Sequence, residues 1–260
     1  MLAAIGFGLL IGAALGLLGG GGSILAVPAL VYGVGESVPH AVTASLFVVG
    51  VTSGVGALPR ARAGQVRWPV AAVFGFAGVG TAFAGTAVNH LMSSRVLLIT
   101  FAVLMVAVAA RMLWGHVESR GACAAPDGSV NWKGCLPKAI GAGAAVGFVT
   151  GLLGVGGGFI IVPALALLLG LEIPLAIGTS LVVIVINSAA GLAAHLQRTS
   201  IDWRIAAGFA GAAIVAALLA SRFGSRVDPG RLRRWFAWLI ISVAVFVAAE
   251  AIVNPSSLGR

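Results

Sequence analysis

The chain has 260 residues, of which 60% are hydrophobic and only 9% charged, with a net charge of +9. A soluble domain carries about 25% charged residues, so a water-soluble globule is excluded. Uncharged runs such as 139–171 and 69–89 exceed the roughly 20 residues that cross a bilayer. The positive charge is not a nucleic-acid signature either, because the arginines stand at the ends of apolar segments, where loops meet headgroups.

Eight apolar segments follow one another, at about 4–34, 41–59, 69–90, 96–114, 137–170, 174–195, 205–221 and 235–253. The polar stretch 115–136 divides them four and four. The sequence therefore predicts an all-α polytopic membrane protein of two homologous halves, 1–114 and 137–260, joined by a cytoplasmic linker loop. The N-terminus lacks the basic start of a signal peptide and recurs at 139–158, so it reads as structure.

The first segment carries the strongest signal. Residues 16–30 read GLLGGGGSILAVPAL and residues 151–165 read GLLGVGGGFIIVPAL. The halves align without a gap at an offset of 135, with 24 identities over positions 4–68. This is a duplication of a whole structural unit. As one straight helix, 4–34 would be about 46 Å long, against a hydrocarbon core of about 30 Å. Gly19–Gly22 and Gly154–Gly158 interrupt each copy, and a proline follows within six residues. Each segment is thus a kinked long span or a re-entrant hairpin, since broken backbone is tolerated at membrane depth only against protein or a wet cavity.

Loop charge weighs the two cases. A crossing first segment gives parallel halves, with ten Lys/Arg inside and six outside. A re-entrant one gives inverted halves with loops 60–67, 111–138 and 222–234 inside, twelve against four. The inverted repeat is favoured, and either case puts the linker in the cytoplasm. Cys123 and Cys135, both in that linker, are therefore expected to be plain thiols.

Duplicated, glycine-broken spans point to a transporter binding site. Helix ends at a break present bare N–H donors that favour an anion. The expected substrate contacts are Gly19, Gly20, Gly21, Gly22 and Ser23 in the first copy and Gly154, Gly156, Gly157 and Gly158 in the second. The scattered glycines Gly8, Gly12, Gly16, Gly143, Gly147 and Gly151, four apart, read instead as helix-packing positions.

The second segment of each half opens with Pro39 or Pro174 and continues AVTASL or AIGTSL. Ser45 and Ser180 fall in register, with Thr43 and Thr179 nearby and Thr52, Ser53, Asn187 and Ser188 one to two turns on. Thr43, Ser45, Thr179, Ser180 and Asn187 join the expected site. The competing role for each serine is a bond to its own helix.

Further along, Glu36 and Glu172 lie in short turns, and His40, His90 and His195 at segment ends; each reads as an interfacial residue. Arg60 aligns with His195, so both are expected as positive groups at a mouth. Trp68 and Trp203, also in register, read as interfacial anchors. No metal set, cofactor motif or nucleophile–base pair stands in the spans, so an enzyme is not expected.

The paired GLLG-GGG-VPAL breaks, each followed by Pro and A-x-x-x-SL, resemble the sulfite exporter TauE/SafE family of membrane permeases over nearly the whole chain. The resemblance implies a secondary transporter, commonly an exporter, of a small sulfur-containing anion such as sulfite or an organosulfonate. It implies a multi-pass protein of the cell (inner) membrane whose partners are that anion and lipid, not nucleic acid, and it admits a homodimer. The alternatives are an anion channel of the same fold and a transporter of another carboxylate or oxyanion.

Overall fold

The computed structural model describes residues 2–30, 35, 38–89, 94–114, 132–153, 158–195, 203–224 and 228–253. Among these, secondary structure is helical throughout. The elements are α1 (Leu2–Leu18), a 3₁₀ turn (Gly20–Gly22), α2 (Ser23–Pro28), α3 (Val38–Arg62), α4 (Trp68–Asn89), α5 (Ser94–Trp114), α6 (Trp132–Leu153), α7 (Gly158–Pro163), a π turn (Ala164–Leu168), α8 (Ile173–His195), α9 (Trp203–Gly224) and α10 (Pro229–Val253).

The long first segment is not one rod. Gly19 adopts φ 72, open to glycine and strained for other residues. The chain then turns back, so that Gly22 packs on Ile11 and Leu15 of α1. The first copy therefore reverses locally after Gly19 rather than continuing straight. The Val-Pro-Ala-Leu motif also has a structural consequence. Proline has no N–H to donate, and after Pro163 the register widens to a π turn, with Leu169 N–H donating to the Ala164 carbonyl at 3.3 Å. Ala29 and Leu30 take the same π geometry in the first copy. The following glycines, Gly35 and Gly170, both have positive φ, 84 and 69, and stand shortly before Pro39 and Pro174.

The halves interlock rather than form separate bodies. On α1, Gly8, Gly12 and Gly16 lie against Phe209, Ala213 and Ala217 of α9. On α6, Gly143, Gly147 and Gly151 lie against Phe74, Gly78 and Ala82 of α4. These two seams match residue for residue at the offset of 135, and in both the helices run in the same direction. The glycines read as packing positions do that work, by letting backbones touch where any Cβ would intrude. At the centre α3 meets α8. Gly50 lies against Ser188, Gly54 against Val185 and Gly56 against Leu181, so these two helices run antiparallel. The α5–α10 pair packs alongside, burying Met105, Met112, Leu232 and Phe236.

The outer surface suits lipid. Phe76, Val103, Trp114, Trp238 and Val245 are all more than half exposed, a surface that water would not tolerate. Four of the described helices, containing 40–62, 68–85, 134–152 and 173–193, are long and apolar enough to cross a membrane. Trp68 and Trp203 open α4 and α9 and are equally exposed at 58%.

Two expectations are corrected. Helix α6 begins at Trp132, inside the stretch assigned to the polar linker. Cys135 is accordingly not a loop thiol; it is buried on that helix and disulfide-bonded, and Cys123 is the chain's one other cysteine.

Candidate functional site

The site starts from the end of α1. The Gly19 N–H closes the helix on the Leu15 carbonyl at 2.9 Å, and the positive-φ turn then delivers Gly20–Gly22 into the interior, all three buried. Ser23 follows, 2% exposed, and its hydroxyl donates to the Gly20 carbonyl at 2.7 Å. The hydroxyl ties the 3₁₀ turn to the start of α2.

Each glycine of this turn faces a different neighbour. A side chain at Gly20 would run into the carbonyl of Gly158, and one at Gly158 would run into the Ser23 hydroxyl. Ser23 and Gly158 are equivalent residues of the two copies, so the interruptions meet across the repeat. A Cβ at Gly21 would come within 3.0 Å of the Phe236 ring on α10. One at Gly19 would come within 2.9 Å of the Ser180 hydroxyl and of Ile177. The first break is therefore enclosed by α1, α7, α8 and α10. Gly154, Gly156 and Gly157 lie outside the described residues.

The second duplicated motif supplies the α8 wall. Ser180 donates to the Ile177 carbonyl and Ser45 to the Val42 carbonyl, each at 2.8 Å. These are the same bond in both repeats, so both hydroxyl protons are engaged by their own helices, as for serines that bond back. With Ser23 engaged as well, these hydroxyls offer lone pairs, and an anion draws its donors from elsewhere. Thr179 is buried and accepts the Arg67 N–H at 3.1 Å; Thr43, one residue before the position equivalent to Thr179, is buried on α3. Asn187 lies one turn from Ile184, which touches Gly158, and its amide nitrogen faces Gly78 of α4. Among the described residues its Oδ1 is buried without a partner, as are the hydroxyls of Thr52 and Ser53. Thr52 is the residue in register with Asn187.

The residue that sequence reasoning misplaced is Arg60. It does not stand at a mouth. It is 4% exposed, and its Nη2 donates to the Gly16 carbonyl at 2.9 Å, three residues before Gly19. Nη1 donates to Gln65 Oε1 at 3.3 Å. Counting loop charge grouped Arg60 with its neighbours, although it falls within an apolar helix. The signal that could have found it is that an arginine inside a span is a functional suspect by default. The His195 side chain lies outside the described residues. Among the described residues no group of His, Cys, Asp or Glu could hold a metal.

Two interrupted helices in contact inside a lipid-exposing helical bundle define a membrane transporter. The sulfite exporter TauE/SafE family model matches residues 4–247. The chain belongs to this family. It is 34% identical over 255 residues to a probable membrane transporter protein of Xylella fastidiosa, covering 95% of this chain and 94% of that protein. It is 29% identical over 195 residues to a probable membrane transporter protein of Methanocaldococcus jannaschii, covering 73% and 70%. No solved structure gives a significant match.

Proposed function

We propose that this protein is a secondary transporter that exports a small sulfur-containing anion, sulfite or an organosulfonate, across the cell membrane by alternating access. The observation that carries this reading is the direct contact of the two breaks at Gly20, Ser23 and Gly158. Backbone freed from regular helix is tolerated at membrane depth only where protein buries it or it lines a wet cavity, and transporters place such breaks at the binding site. Here it is held from both repeats at one place, between elements of opposite halves. The groups that close on each other there are the ones that must part to admit a solute, which favours alternation over an open pore.

The halves are proposed to be inverted across the membrane. A re-entrant hairpin in each half, like the reversal at Gly19, would leave each half three crossings. Equivalent helices α3 and α8 would then run antiparallel, while α1 would follow α9 and α6 would follow α4; the packed glycines have these directions. A first segment that crossed would make α3 and α8 run the same way. Loop charge then orients the linker toward the cytoplasm.

The test is flux in proteoliposomes with sulfite and with sulfoacetate. Saturable uptake that is accelerated by the same anion on the opposite side supports a carrier. Flux without saturation or counterflow indicates a channel, and no flux of either anion overturns the substrate class.

A further inference from the structure

Arg60 stands in the last turn of α3, inside the apolar stretch 40–62. A guanidinium is always charged, and burying it is costly unless an opposite charge or a full set of acceptors compensates. Its two acceptors, the Gly16 carbonyl and Gln65 Oε1, are both neutral. Its Nε is buried with no partner among the described residues. The carboxylates of Glu172 and Asp228, among the described residues, are exposed to solvent.

We propose that Arg60 is the fixed positive charge of the transport path, and that the transported anion is its counter-charge. This rests on the transporter reading above and deepens it by assigning the residue that recognises the charge. The planar guanidinium offers Nε–H and an Nη2 N–H side by side, an edge that matches two oxygens of a sulfonate or sulfite. In the structure Nη2 is held by the Gly16 carbonyl. An oxyanion taking that edge competes with this carbonyl. It thereby releases the end of α1 immediately before the positive-φ turn at Gly19. Charge recognition and movement of the first hairpin are linked through one hydrogen bond. The alternative role, a pin on the helix end, accounts for Nη2 but leaves the charge and the unpartnered Nε unexplained.

The experiment compares Arg60→Gln, Arg60→Lys and Gln65→Ala with the unaltered protein, by proteoliposome flux and by thermal stabilisation with sulfite and with sulfoacetate. Arg60→Gln should lose flux by more than about tenfold and lose the anion-dependent rise in Tm, while melting without anion changes little. Arg60→Lys keeps the charge but not the planar edge and should retain flux with a raised half-saturation. Gln65→Ala should stay close to the unaltered protein. If the unaltered protein carries neither anion, the parent reading fails and this one with it. If it carries an anion and Arg60→Gln carries it equally, only the assignment of Arg60 is overturned. Equal losses in all three variants indicate a structural pin and also overturn it. Should Arg60→Gln not fold, phenylglyoxal modification of the native protein replaces it. Protection of the Arg60 peptide by a transported anion is expected, and an Arg60 that is never modified, or is modified equally with and without anion, overturns the proposal.

Discussion

Replacing Gly20 with alanine is the sharpest test of the meeting point. Gly20 has no positive φ, so its backbone accepts alanine, and in helical conformation the exchange alone would stabilise by up to about 1 kcal/mol. The added methyl has nowhere to go. It meets the carbonyl of Gly158, which is backbone and cannot rotate away. Overpacking of this kind typically costs about 1–3 kcal/mol, and here it falls on the state in which the two breaks touch. Taking a net penalty of about 2 kcal/mol, the population of that state falls roughly thirtyfold relative to states with the breaks apart. If each transport cycle passes through it, flux falls by a similar factor. The control is Gly80→Ala on α4, where a Cβ meets nothing within 4 Å and flux should be unchanged. Anion flux through Gly20→Ala within twofold of the unaltered protein would refute the reasoning.

Three further outcomes are expected. Gly147→Val should lower the melting temperature in detergent severely, because the side chain strikes the Gly78 backbone, whereas Gly141→Val, facing open space, should leave it nearly unchanged. Gly19→Ala combines strain at φ 72 and ψ −105 of about 1–3 kcal/mol with crowding at Ser180, so it should destabilise more than Ser23→Ala, which loses one buried hydrogen bond; unfolding midpoints rank the two. Because Cys135 is buried and disulfide-bonded, maleimide should label it only after the protein is reduced and unfolded. Labelling without reductant would refute the bond, and labelling of reduced but intact cells by a membrane-impermeant reagent would place the linker outside and reverse the proposed orientation.

Much of this protein is legible in its residues alone. Low charge and long apolar runs determine a helical membrane protein, because a bilayer leaves the backbone few ways to satisfy itself. The repeat at an offset of 135 determines that whatever the first half does locally the second repeats, as the paired Ser45 and Ser180 bonds and the paired positive φ of Gly35 and Gly170 bear out. Gly19–Gly22 announce an interruption, since four glycines and a proline weaken any helix.

Its direction was not legible, because the same glycines allow a kink or a reversal and only the packing of Gly22 on Ile11 and Leu15 chooses. Nor was the exchange of α1 and α6 between halves, or the closure of Gly20 on Gly158, since contacts between residues more than a hundred positions apart leave no local pattern. Arg60 shows the limit most clearly. By position it belongs to the end of a span, and its burial depends on α1 stopping beside it and on loop residue Gln65 folding over it. Local sequence sets which backbone is broken; tertiary packing decides what the broken ends and the buried charge confront, because burial is a property of the whole assembly of helices.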